Sequence, residues 1–336
     1  MEKEPIILAI ESSCDDTSAA VIKGNEVLSN IVSTQDVHKE YGGVVPELAS
    51  RAHQKNIIPT VDLALKEAKI AKSDLDAIAF TRGPGLLGSL LVGVSFAKSF
   101  AMALNKPMIE VNHMEAHVLA HLINDGSPTP DFPFLCLTVS GGHTQLVVVS
   151  SPMEMEIIGQ TIDDAAGEAF DKISKIMELP YPGGPLIDTY AKRGNPDAYK
   201  FPHPKVGELE FSFSGLKTSV LRFLQKEVRK NENFIEEYLF DICASVQKTI
   251  VDILINKIKI ASKKTGITRI AIAGGVSANS ELRKRLLDNT FGWQVFIPAF
   301  QFCTDNAGMI AIAGYYKFKK GIFVDQSVVA DARLRI

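Results

Sequence analysis

Two well-separated stretches of this chain are written to the same plan. Residues 6–21 (IILAIESSCDDTSAAV) run from an apolar segment through a small polar bend into a second apolar segment. Residues 135–149 (LCLTVSGGHTQLVVV) do the same. Each bend is built from Ser, Gly or Asp, and a Thr leads into the second run, which is the pattern of a β-hairpin. A third unit, strand–turn–helix, follows at 269–279 (RIAIAGGVSAN). Self-similarity of this kind constrains a fold more than any single motif. For 336 residues it predicts two similar α/β lobes, each opening with a hairpin whose tight turn faces a shared cleft.

Periodicity predicts helices over 47–69, 86–104, 167–177, 214–229, 234–264, 277–287 and 305–319, and short strands over 75–81 and 108–111. The Pro-, Asp- and Ser-rich stretch 125–133 marks a lobe boundary. The first lobe is expected over 1–132, completed by the C-terminal segment 306–336, and the second over 133–305. The Pro- and Gly-rich run 181–204 reads as part of a substrate-facing insertion near 178–215. The apolar run 86–104 follows a Gly-Pro-Gly turn and is interrupted by Lys98, so it is expected as a buried helix and not a membrane span. Residues 6–10 are too short and too closely flanked by acids for a secretory leader. Cys14, Cys136, Cys243 and Cys303 show no paired spacing, which fits a reducing, cytoplasmic setting.

The net charge of −3 hides an asymmetry: residues 1–185 hold 13 basic against 24 acidic side chains, and residues 186–336 hold 23 against 15. Basic clusters recur at Lys192-Arg193, Arg229-Lys230, Lys263-Lys264, Arg283-Lys284-Arg285 and Lys317 to Lys320. Any one of them is an ordinary solvated helix face; together they suggest a polyanionic partner.

Chemistry concentrates at a few positions. His113 and His117 lie four residues apart, which on a helix puts both imidazoles on one face. Such a pair can hold Zn, Fe, Ni or Cu, or can be two helix histidines without metal. A zinc protease would need Glu directly after the first His. Here that position is Met114, and Glu115, one step on, is rotated by about 100°. The turn 11–17 carries Glu11, Asp15 and Asp16, carboxylates that repel one another unless a cation or donor-rich ligand joins them. Ser140, Gly141 and Gly142 lack bulk, so backbone amides there can approach a phosphate. Gly274 and Gly275 precede a helix and offer the same, although hairpins use such turns for their own sake. At 304–306 (TDN), Asp305 is either part of an N-cap or a third, oxygen donor to a metal. Two His and one carboxylate leave positions open for substrate, as catalytic sites require.

The motifs ESSCDDTS at 11–18, GPGL at 83–86, HMEAH at 113–117, SGGHT at 140–144, DDAAGEAFD at 163–171, YPGGP at 181–185, FSFSGLK at 211–217, GGVSAN at 274–279 and TDN at 304–306 resemble the universal tRNA threonylcarbamoyl transferases of the bacterial TsaD type. The resemblance spans nearly the whole chain in order. It implies a duplicated actin-like, sugar-kinase-like (ASKHA) two-lobe α/β fold with a central cleft. It implies transfer of an L-threonylcarbamoyl group from threonylcarbamoyl-adenylate to the adenosine beside the anticodon (position 37) of tRNAs reading ANN codons, with release of AMP. It places the metal on His113, His117 and Asp305, usually Fe2+ and sometimes Zn2+. Substrate contacts fall on Thr138, Val139, Ser140, Gly141, Gly142, Asp171, Gly184, Asp188 and Asn279. It implies TsaB- and TsaE-type partner proteins. Asp16 stands where Glu is commoner, Arg82 where a small residue is commoner, and His203 where Arg is usual.

On this basis the nucleotide end of the substrate is expected at Gly274, Gly275 and Asn279, with Mg2+ as a possible companion of an adenylate- or ATP-type nucleotide. Amides of the 140–142 turn would stabilise charge on the carbonyl oxygen, and Glu11, Asp15 or Asp171 would assist proton removal. The adenosine must be splayed from its loop to react. Two other readings compete: an ATP-dependent small-molecule kinase of the same fold, which would not need the histidines, and a non-catalytic scaffold of a tRNA-modification complex.

Overall fold

The computed structural model describes residues 3–336, the side chain of Lys39 excepted. The chain forms two compact units. One comprises the chain up to Phe132, Ser150–Met155 and Pro298–Ile336; the other comprises Pro133–Val149 and Glu156–Ile297. Residues 298–305, assigned on sequence to the second lobe, thus group with the first unit. The physical reason is apolar: Phe302 is buried in the first unit's core and Ala299 packs against it.

The first unit is built on β1 (Ile6–Glu11), β2 (Asp16–Lys23), β3 (Glu26–Thr34), β4 (Ala77–Gly83) and β5 (Met108–Asn112), in the order β3-β2-β1-β4-β5. β1 is buried at every position, as a central strand covered on both faces must be. It pairs antiparallel with β2 and parallel with β4. One face is covered by α1 (Pro46–Ala68) and α2 (Leu87–Leu104), the other by α3 (His113–Leu119) and the C-terminal helix Ala307–Lys319. Only one face of α2 is buried, through Leu90, Val94, Ala97 and Ala101, whereas Leu87, Leu91 and Met102 are exposed. Among the described residues it is the one helix long and apolar enough to cross a membrane.

The second unit repeats the plan with β6 (Phe134–Val139), β7 (Thr144–Ser151), β8 (Glu154–Gln160), β9 (Arg269–Ala273) and β10 (Gln294–Phe296). Its order, read as β8-β7-β6-β9-β10, matches the first sheet strand for strand. Around it lie α4 (Ala166–Ile176), α5 (Gly183–Ala191), α6 (Ser214–Val228), α7 (Phe234–Thr265) and α8 (Ser280–Leu287). α7 carries Ile242, Val246, Ile250, Leu254 and Ile258 into the core, each worth roughly 1.5–3 kcal/mol of apolar burial.

Part of the Pro- and Gly-rich segment read as a substrate-facing insertion is α5, a helix the sequence periodicity did not predict. Pro182 is its N-cap and Pro185 lies in its first turn, where a missing N–H costs the helix nothing.

The C-terminal helix lies against the first sheet because Gly314 has no side chain. A Cβ there would sit 2.8 Å from the Ala79 Cβ. Gly314→Val is therefore expected to push the helix off β4 and destabilise the protein by about 1–3 kcal/mol, read as a lowered midpoint in urea or thermal denaturation.

Candidate metal centre and substrate-facing turns

β5 ends at Asn112, whose Oδ1 accepts hydrogen bonds from the backbone N–H of Met114 (2.8 Å) and Glu115 (3.3 Å). This cap starts α3 directly at the sheet edge. His113 and His117 then fall on one face, both buried, with ring centroids 4.7 Å apart and planes nearly perpendicular. Glu115 points elsewhere, with its carboxylate 3.9 Å from Lys317 Nζ.

The first amides of the C-terminal helix find partners in three side chains. Ala307 N–H donates to Ser18 Oγ (2.8 Å), Gly308 N–H to Asn30 Oδ1 (3.1 Å) and Met309 N–H to Asn306 Oδ1 (3.2 Å). The N-cap is Asn306, so Asp305 has no capping duty. Its Oδ1 lies 3.1 Å from His117 Nε2 and 3.4 Å from His113 Nε2. Ligand atoms of His113, His117 and Asp305 all lie within 4.8 Å of one another.

Behind this trio, Glu11 ends β1 with no exposure to solvent. Its Oε2 accepts from Thr81 Oγ1 (2.6 Å) and from His113 Nδ1 (3.1 Å), and its Oε1 accepts from Ser13 N–H. Ser13 Oγ is also 3.1 Å from His113 Nδ1. With Nδ1 so engaged, Nε2 of His113 is directed at Asp305.

The electrostatics follow from burial and partners. Burial opposes charge on His113, but Asp305 and Glu11 on either side overcome it and push its pKa up to about 10. Burial likewise opposes charge on Glu11, yet His113 holds its carboxyl below the usual range. Asp305 is half-buried, and although desolvation opposes its charge, His113 and His117 keep it ionised far below the ordinary carboxylate range. The donor set fits a divalent cation. Two imidazoles and a carboxylate converge, and one imidazole gives its other nitrogen to a buried carboxylate, the usual arrangement behind a metal-bound histidine.

In the second unit, Ser140 Oγ accepts from the N–H of Gly142 (3.3 Å) and His143 (3.1 Å). The Gly142 amide is thus already engaged by its own turn. A Cβ on Gly141 or Gly142 would meet nothing within 4 Å, so the turn is bare on its outer side. Gly274 (φ 85°) is required: a Cβ would come 2.5 Å from Val139 O. After Gly275 comes a single 3-10 turn, Gly275–Ala278, before α8. The start of α8 is already capped. Asn279 Oδ1 accepts from Leu282 N–H (3.0 Å), and Asp188 Oδ1 from Ser280 N–H (3.1 Å) and Ser280 Oγ (2.7 Å). The helix start that the sequence offered as an anion site is therefore occupied by the protein's own acceptors. Asp171 plays a similar part for α5, its Oδ1 accepting from Gly183 N–H (2.9 Å) and Gly184 N–H (3.2 Å). Burial raises the Asp171 pKa despite those two bonds. Thr138 Oγ1 and Ser277 Oγ are buried without a hydrogen-bond partner. Arg283 and Arg285 are both tied down, Arg283 Nε to Ser277 O (2.7 Å) and Arg285 Nη1 to Asp252 (2.5 Å), which leaves Lys284 as the exposed cation of that cluster.

Comparison with known proteins decides between the readings. The family described as tRNA N6-adenosine threonylcarbamoyltransferase, TsaD, matches residues 26–312. The chain belongs to this family. Relatives of that name include one from Christiangramia forsetii, 62% identical over 332 residues and covering 98% of each chain, and one from Riemerella anatipestifer, 58% identical over 337 residues and covering 99% of each. Among solved structures, full-length HypF in its phosphate- and nucleotide-bound form aligns with a TM-score of 0.62 at 16% identity, over 95% of this chain and 47% of that one. The duplicated actin-like, sugar-kinase-like (ASKHA) fold is thereby established. As a TsaD-family transferase, the protein transfers a threonylcarbamoyl group to N6 of adenosine in tRNA, which sets aside the kinase and scaffold readings.

Sequence reasoning missed Ser13, Thr81, Ser18 and Asn30, which position the site without being candidate ligands. Hydroxyl and amide side chains in or beside strands carry no distinctive spacing.

One consequence concerns Asp16. Burial raises its pKa to about 7, with Asp305, Asp15 and Glu11 adding repulsion. Its proton is retained in the folded state and lost in the unfolded chain between about pH 4 and 7. Its contribution to stability is thus full below about pH 4 and lost as pH rises through 7. In metal-free buffer, the thermal midpoint of Asp16→Asn relative to wild type is expected to rise from pH 4 to pH 7 and level off above. A difference independent of pH would contradict this.

Proposed function

We propose that this TsaD-family transferase is metal-dependent, with His113, His117 and Asp305 holding one divalent cation, Fe2+ in the first instance and Zn2+ as the alternative. The observation that carries the reading is the convergence of these three donors, with His113 Nδ1 tied to Glu11 and Ser13 behind them. Such a cation supplies Lewis acidity at the donor's carbonyl and holds the donor in place. The donor is threonylcarbamoyl-adenylate and the acceptor is adenosine 37 of tRNAs reading ANN codons, with AMP released.

In this reading Glu11 orients His113 and takes no substrate proton, since both its oxygens have partners. Asp15 and Asp171 are the acids assigned to removing the proton from the attacking amine. The raised pKa of Asp171 suits a base. Thr138, Val139, Ser140, Gly141, Gly142, Gly184, Asp188, Gly274, Gly275 and Asn279 line the substrate's path. Bareness at Gly141 and Gly142 and the unpartnered Thr138 hydroxyl support that placement. Mg2+ accompanies the nucleotide where a phosphate charge needs it. The tRNA meets exposed lysines of the basic half, such as Lys263 and Lys284. TsaB- and TsaE-type proteins act as partners, in the cytoplasm, where tRNA is modified.

Metal content and transfer are expected to fall together. His117→Ala and Asp305→Ala should each lose the cation and reduce transfer beyond the roughly 10–100-fold typical of an outer partner. Glu11→Gln, which keeps its shape and loses its charge, should weaken cation affinity by about 10–100-fold. Elemental analysis and a reconstituted assay with adenylate and tRNA check both. Full transfer by a metal-free His117→Ala protein would overturn the reading.

A further inference from the structure

The turn that carries Ser13 is gripped from a direction the metal centre does not explain. His53, on α1, has no exposure to solvent. Its Nε2 lies 3.0 Å from the backbone oxygen of Cys14 and its Nδ1 lies 2.7 Å from Thr17 Oγ1. A carbonyl can only accept, so Nε2 bears the proton and Nδ1 accepts from the Thr17 hydroxyl. Burial lowers the pKa of the ring, against the smaller opposing pull of the Cys14 carbonyl, which agrees with a neutral imidazole using both nitrogens.

Cys14 and Thr17 flank Asp15 and Asp16. One rigid ring therefore ties together the two residues that bracket the acid pair. α2 completes the grip. Ser89 Oγ donates to the same Cys14 carbonyl (3.0 Å), Ser12 Oγ donates to Ser89 O (3.0 Å), and Leu86 N–H donates to Ser13 O (2.7 Å). The turn lies so close to this bed that a Cβ on Gly85 would come 2.4 Å from Ser13 O, and one on Gly93 would come 2.2 Å from Ser12 Oγ. On the other side of the turn, Ser13 Oγ reaches His113 Nδ1 at 3.1 Å. Both nitrogens of the His53 ring are engaged, one by Cys14 in the turn and one by Thr17 at the start of β2.

We propose that His53 is a positioning residue for the transfer reaction. It touches neither substrate nor cation. It fixes the turn 12–17 so that Ser13 sets the His113 ring and Asp15 and Asp16 keep one orientation. The proposal rests on the metal reading above for its effect on cation affinity, and on the turn itself for its effect on turnover.

The test compares His53→Ala, His53→Gln, Thr17→Val and His117→Ala with wild type. Co2+ affinity is followed by visible absorption, thermal midpoint by circular dichroism, and kcat and KM for tRNA in the reconstituted assay well below every midpoint. His53→Ala is expected to weaken Co2+ binding and lower kcat by about 10-fold each, with KM changed by less than about twofold. His53→Gln, whose side-chain N–H can reach Cys14 O, should regain most of both, and added imidazole should partly rescue His53→Ala. If His53→Ala lowers only the midpoint, or if the Gln and Ala variants lose kcat equally, the proposal is wrong and His53 is a core residue. If His53→Ala does not fold, Thr17→Val decides: lowered kcat with an unchanged midpoint supports the proposal, and wild-type kcat overturns it. His117→Ala reports separately on the metal. Unchanged Co2+ binding there would sink the metal reading and leave His53 to be judged on kcat alone.

Discussion

The Glu11 carboxylate, at the end of a fully buried central strand, is the constraint on which the site depends. A buried charge without partners is prohibitively costly. Glu11 is tolerated because Thr81 on the neighbouring strand, the Ser13 amide and His113 all donate to it. Those three donors come from β4, the hairpin turn and α3, so satisfying one carboxylate fixes three elements at once. The direction of His113 Nε2 toward Asp305 follows from where Nδ1 must point. Site geometry and core stability are here the same set of hydrogen bonds.

The duplicated sheet is put to different use in its two copies. In the first, the turn after the leading strand carries Ser13, Asp15 and Asp16, and the strand ends in the buried acid. In the second, the equivalent turn is Ser140 to His143, bare at Gly141 and Gly142. One scaffold thus presents an acid-bearing turn once and a sterically open turn once. The short polar segments could diverge because the strands on either side carry the packing.

Much of this was legible from residues alone, for stated physical reasons. Matching apolar runs at 6–21 and 135–149 announced the duplication, and the four-residue spacing of His113 and His117 announced a shared helical face. Asp305 had two readings on sequence, cap or ligand. Only the capping of Ala307, Gly308 and Met309 by Ser18, Asn30 and Asn306 removes the first. β3 escaped notice because an edge strand bearing Ser29, Asn30 and Ser33 lacks an apolar run. α5 escaped because Pro and Gly signal loops except in the first turn of a helix. Asp171, Asp188 and Asn279 showed their chemistry in the sequence but not their attachment. Each caps or joins a helix start in the second unit, a pairing set by tertiary contact that no local spacing encodes.

The order of segments in the first unit has a consequence for how the site comes into being during synthesis. Both histidines leave the ribosome in the first half of translation, while Asp305 and the helix behind it come near the end. A nascent chain halted before that point holds two imidazoles beside an acid with no third donor and an incomplete apolar core. Capacity to gather the full donor set is therefore a late-acquired property, and under the metal-dependent reading proposed above a chain halted earlier lacks the third donor.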